Sequence, residues 1–154
     1  MESLYEFLKP SHSILRYFLL LLLIATVVKS YLGWKGAKPF TKMDDKLSLR
    51  TFILSHIMLL LGLFLYFVGP NGIKLFSKGM SQVMSISVFR FFAVEHIFGM
   101  LVAISLITIG RIKAKKQLED LAKHKTTFIY FLIALIIILV TIPWPFRNLG
   151  TAWF

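Results

Sequence analysis

The chain has 154 residues, 57% of them hydrophobic, a net charge of +11 and no cysteine. Soluble domains carry roughly 45–50% apolar residues even with glycine counted. A mean hydropathy of +0.76 therefore excludes an ordinary soluble domain, and the lack of thiols excludes disulfides, thiolate-held iron–sulfur clusters and haem attached covalently through C-x-x-C-H.

Four apolar runs predict four spanning helices within one transmembrane domain, residues 1–154. The first covers about 14–32, with Pro10 and Ser11 as its start because proline suits a first helical position. The second covers about 51–68 and stops at Gly69-Pro70-Asn71-Gly72, a strong turn signal. Ile73 to Gln82 reads as a short amphipathic piece lying on the membrane surface. The third run covers about 85–110. The fourth covers about 126–142 and stops at Pro143-Trp144-Pro145. A spanning helix needs about 20 residues, and each connection is too short for a further span. The expected fold is all-α, an integral membrane four-helix bundle running up-down-up-down.

The basic residues lie between the runs, so they predict orientation and no nucleic-acid binding. One side carries Lys29, Lys35, Lys38, Lys42, Lys46 and Arg50 from the first loop. The third loop adds Arg111, Lys113, Lys115, Lys116, Lys123 and Lys125 to the same side. The other side carries Lys9, Arg16, Lys74, Lys78, Arg90 and Arg147. The richer side is expected to be cytoplasmic. That predicts a multi-pass protein of the inner membrane with both termini periplasmic or external. No signal-peptide cleavage site follows the first run. Tyr5, Tyr31, Trp34, Trp144 and Trp153 fall where an aromatic belt belongs.

Four histidines accompany the runs: His12, His56, His96 and His124. An ionisable group at bilayer depth is expensive and usually functional. His56 lies six residues past Arg50 and His96 six past Arg90, each about 9 Å of helix rise from its edge. In a core about 30 Å thick they differ in depth by roughly 12 Å. A His56–His96 pair near the midplane is one option. Pairing by side is the other: His12 with His96 from the outer side, or His56 with His124 from the cytoplasmic side, each on diagonal helices that would suit a porphyrin clamped in the bundle core. Ala93, Gly99 and Ala103 beside His96 leave room for a flat ring or a close helix. Arg16 and Arg90 suit haem propionates or ordinary snorkelling. His124, between Lys123 and Lys125, reads as a solvated edge. Glu95 is the only acidic residue deep in a run, a proton relay, quinone contact or helix tie. Arg90 is not at α-helical contact spacing from it, which leaves Arg16 or Arg147 as its partner.

The segments His12-Ser13-Ile14-Leu15-Arg16, Ser55-His56-Ile57 with Gly62 and Tyr66, Arg90-Phe91-Phe92 through Glu95-His96, and Ile142 to Arg147 carry a resemblance over nearly the whole chain. Together they resemble a family of small four-helix membrane proteins of Bacteroidota labelled "cytochrome b". The resemblance implies haem b, electron transfer, and His12, His56 and His96 as the iron-ligand candidates. On this reading a quinone or a larger membrane complex would be the partner. Two other classes are kept: a non-catalytic membrane subunit whose histidines tie helices, and metal handling with Met58 and Met100 as soft copper ligands.

Overall fold

The computed structural model describes residues 2–149, so Trp153 lies outside the described residues. Four helices are long and apolar enough to cross a membrane, and among the described residues there is no strand. The protein is an all-α membrane bundle. Helix α1 spans Glu2–Lys35 and α2 spans Lys42–Val68. A 3-10 turn over Ile73–Lys78 and the short α3, Met80–Ser85, follow. The third span is composite: α4 (Ser87–Arg90), a π-helical turn (Phe91–Glu95) and α5 (His96–Lys116). The fourth, α6, spans Asp120–Thr141.

The helices run further than the apolar runs, each for a local reason. Helix α1 passes through Pro10 and does not start there. Proline removes one backbone donor, the one that would serve the Glu6 carbonyl, and the helix continues through it; next to it the Ser11 hydroxyl donates to the Phe7 carbonyl at 2.8 Å. Helix α2 starts nine residues earlier than its apolar run because Thr41 and Asp44 form a capping box. The Thr41 amide donates to Asp44 Oδ2 at 2.7 Å and the Asp44 amide to Thr41 Oγ1 at 3.4 Å. Gly110 does not end α5: it lies against Tyr130 of α6, where an added Cβ would fall 2.4 Å from the Tyr130 Cβ.

Helix α1 packs on α2 and α6, α2 packs on α5, and α5 packs on α6; the diagonal pairs barely touch. The core therefore lies in the middle of a four-cornered ring, built from Leu20, Leu23, Ala103, Ile107, Phe131 and Ile138. Leu21, Leu60, Phe98 and Val140 point outward, as lipid-facing residues should. The contacts differ in kind. Helices α5 and α6 close on small residues, since a Cβ at Gly99 would fall 2.4 Å from Thr141 Cγ2. Helices α1 and α2 share hydroxyls: Thr26 and Thr51 meet at 2.9 Å, both buried. The surface piece folds as a small satellite, with Leu75 and Val83 buried against Ala93.

One end of the bundle carries the two long basic loops and is called the basic end below. Lys29 of α1 pairs with buried Asp44 of α2 there at 3.1 Å, and buried Arg111 of α5 pairs with Asp45 of α2 at 3.1 Å. Trp34 anchors the same end, with the ammonium groups of Lys35 and Lys125 over its ring. The opposite end, with His12, Arg16, Trp144 and the α3 piece, is the terminal end.

Candidate functional site

Three helices supply the terminal-end site. His12 comes from α1, and its ring lies against Gly62 of α2, where a Cβ would sit 3.3 Å from His12 Cε1. His96 opens α5. Its Nδ1 lies 2.7 Å from the Thr141 carbonyl of α6. A carbonyl only accepts, so Nδ1 carries the proton and Nε2 keeps its lone pair. His12, His96 and Arg16 lie within electrostatic reach of one another. The two histidines come from diagonal helices, His12 from α1 and His96 from the start of α5. Arg16 lies beneath them in α1; it is buried, donates to the Tyr17 hydroxyl at 3.0 Å and stacks near Trp144.

His12 carries an orphaned ring nitrogen, as His124 does at its own Nδ1. The His12 Nδ1 is buried, and among the described residues no hydrogen-bond partner reaches it. Most buried polar atoms are satisfied, and an unmade bond costs about 1–3 kcal/mol. A ring nitrogen left with a free lone pair is also what a metal ion or a bound polar group would use.

His56 belongs to a different place. Its Nδ1 lies 2.8 Å from the Phe52 carbonyl in its own helix, so it too keeps the lone pair on Nε2. The nearest group to Nε2 is the Thr108 hydroxyl at 3.4 Å, whose proton is better used by the Ile104 carbonyl at 2.8 Å. None of these partners belongs to the terminal-end site. The three-histidine set does not come together, and among the described residues no group of three or more metal-ligating side chains does.

His124 is a correction. It is 1% exposed, not a solvated edge. Its ring lies over Gly33 of α1, with Phe40 edge-on at 4.9 Å and Nε2 donating weakly to the Pro39 carbonyl at 3.4 Å. Its neighbours in sequence are lysines, but on a helix each adjacent residue points about 100° away.

Arg90 and Glu95 are also differently placed. The Arg90 Nε donates to Glu95 Oε1 at 2.7 Å, within one chain segment. Spacing of five residues is wrong for an α-helix and right for a π turn, and Phe91–Glu95 is wound as one. Arg90 also donates to the Met84 carbonyl at 2.9 Å. Both side chains are more than a third exposed at the surface of the bundle, and the partner of Glu95 is Arg90 of its own segment, not Arg16 or Arg147. Arg147 goes elsewhere, over the Phe91 ring at 4.7 Å.

The donors fit a b-type haem better than the surroundings do. Two imidazoles from diagonal helices, one oriented by a backbone carbonyl and one with an unmet nitrogen, are the right chemistry for two axial positions. The small residues beside His96 are occupied by helix packing. Gly99 meets Thr141, Ala103 is 0% exposed in the core, and Ala93 is buried under the α3 piece. That face of the third span is a helix contact. No family model, no curated protein and no solved structure matches the chain.

Proposed function

We propose that this multi-pass membrane protein binds haem b at its terminal end, where His96 and His12 would hold the iron and Arg16 would supply a cation for the haem carboxylates. Two ring nitrogens at the terminal end support the reading: the Thr141 carbonyl takes the His96 Nδ1 proton and so leaves the lone pair on Nε2, and His12 Nδ1 is buried without a partner among the described residues. Haem bound there would supply one-electron transfer, and a quinone or a larger membrane complex is the partner class that suits it. The chain's own part is to fix the His96 tautomer, keep water out and set a positive charge nearby.

The orientation proposed follows from the basic loops: basic end cytoplasmic, both termini on the periplasmic or outer face of the inner membrane. A reporter fused after Phe154 that is active only in the cytoplasm would overturn it.

A second reading has its own support. The packing of Gly99 on Thr141, and the bonds of His96 and His124 to backbone carbonyls on neighbouring elements, fit a non-catalytic subunit whose histidines fasten helices. Protein produced with ample haem distinguishes the two. The cytochrome reading expects a Soret band and a reduced-minus-oxidised spectrum that His96→Ala abolishes and His124→Ala leaves in place. A colourless wild-type protein rejects haem and leaves the fastening role.

A further inference from the structure

At the basic end, opposite the end that holds His12 and His96, a cavity of about 270 Å³ lies between the start of α2, the end of α5 and Lys123 of α6. Its lining includes Lys42, Lys115, Lys123 and Arg111, together with the hydroxyls of Thr41 and Ser48. The cations are not all equal. Arg111 is buried and committed to Asp45 and Ser48. Lys123 reaches Asp120 at 3.3 Å. Lys42 and Lys115 are exposed, and among the described residues no carboxylate lies within ion-pair distance of either. With Asp45 the only acidic residue in the lining, the cavity is an anion site in charge. A water's share of the liquid is about 30 Å³, so a phosphate group has room.

The apolar surface next to the cavity says what the phosphate is attached to. Leu49 lies one helical turn inward from Asp45, and Ile112 one turn inward from Lys115. Both point outward and are exposed, Ile112 by 50%. A polar, cationic recess directly above exposed apolar side chains matches a molecule with a phosphate head and hydrocarbon tails. Basic pockets between spanning helices are a known way to hold such heads. We infer that the cavity between the start of α2 and the end of α5 binds the phosphate of an anionic phospholipid, with Lys42 and Lys115 as the contacts that select it.

The test uses the full chain purified in detergent, with phosphatidylglycerol or phosphatidylcholine added and bound lipid counted by native mass spectrometry. Phosphatidylglycerol should be retained in preference to phosphatidylcholine. The pair Lys42→Gln with Lys115→Gln should weaken that retention roughly tenfold. The pair Lys35→Gln with Lys125→Gln removes the same charge from the same end outside the cavity and should change it less than about twofold. Equal loss from both pairs would show diffuse attraction and overturn the cavity as a site. Displacement of the lipid by inorganic phosphate at equal concentration would assign the recess to the free ion and overturn the lipid. Circular dichroism of each variant should match the wild type, since all four lysines are exposed.

Discussion

Arg90 and Glu95 are five residues apart and meet at 2.7 Å because the backbone between them is wound as a π turn. The extra residue in that turn changes which side chains share a face. Arg90 and Glu95 line up, and His96 starts a regular helix aimed at Thr141. π turns inside α-helices recur at functional sites, and here the turn directly precedes the histidine at the centre of the proposed site.

Glu95→Gln should cost little stability, less than about 1 kcal/mol, because the glutamine oxygen can still accept from the Arg90 Nε. Deleting Ala93 should cost more. It would return the turn to α-helical winding, take Arg90 off Glu95 and strip a buried contact from under Leu75 and Val83. Unfolding midpoints in one detergent compare the two; a larger loss for the glutamine variant would contradict this account.

Gly33→Ala should destabilise the protein by about 1–3 kcal/mol. The new Cβ would fall 2.3 Å from His124 Cε1, and the ring is enclosed by Phe40 and the Pro39 carbonyl. His124→Ala in the same chain should recover part of that loss. A double-mutant cycle with no coupling between the two positions would show that the ring does not sit on Gly33.

Much of this arrangement was legible in the sequence, and the misreadings have physical causes. The four spans were clear because apolar runs of that length have few other uses. Their ends were not. Pro10 reads as a start because proline suits a first helical position, yet α1 runs through it from Glu2. The α2 start was available in Thr41 and Asp44, a capping-box spacing, but the lysines around it read as loop. His124 was misjudged from its neighbours in sequence when its neighbours in space lie on α1 and the first loop. The Arg90–Glu95 pair was beyond spacing arguments, since those assume α-helical winding.

Gly110→Leu and Gly99→Leu should each force α5 from α6, since the groups in the way are the Tyr130 Cβ and the Thr141 side chain. Gly99→Leu should also lengthen the bond that fixes His96. If haem binds, its spectrum should change in that variant before the helices are lost. Gly110→Leu, farther along α5, should reduce stability with a smaller effect on the spectrum.

Thr51→Val should cost about 1 kcal/mol, the usual scale for a hydroxyl contact between membrane helices. It removes the partner of Thr26 and keeps the shape. The Thr26 hydroxyl retains the Leu22 carbonyl at 2.7 Å, so no atom is stranded. A loss above about 3 kcal/mol would mean that the hydroxyl has another task.

The two kinds of helix contact divide between the halves of the chain. Helices α1 and α2 are joined by the Thr26–Thr51 contact and the Lys29–Asp44 pair, all of which exist once the first hairpin has left the ribosome. Helices α5 and α6 close on Gly99 and Gly110 without help from the first half. Each half of the chain therefore carries a helix contact of its own, and α1 also packs on α6 across the halves. Cut between Asn71 and Gly72 and produced as two polypeptides in one cell, the chain should still come together. Co-purification of the halves would then record a docking step that an intact chain hides.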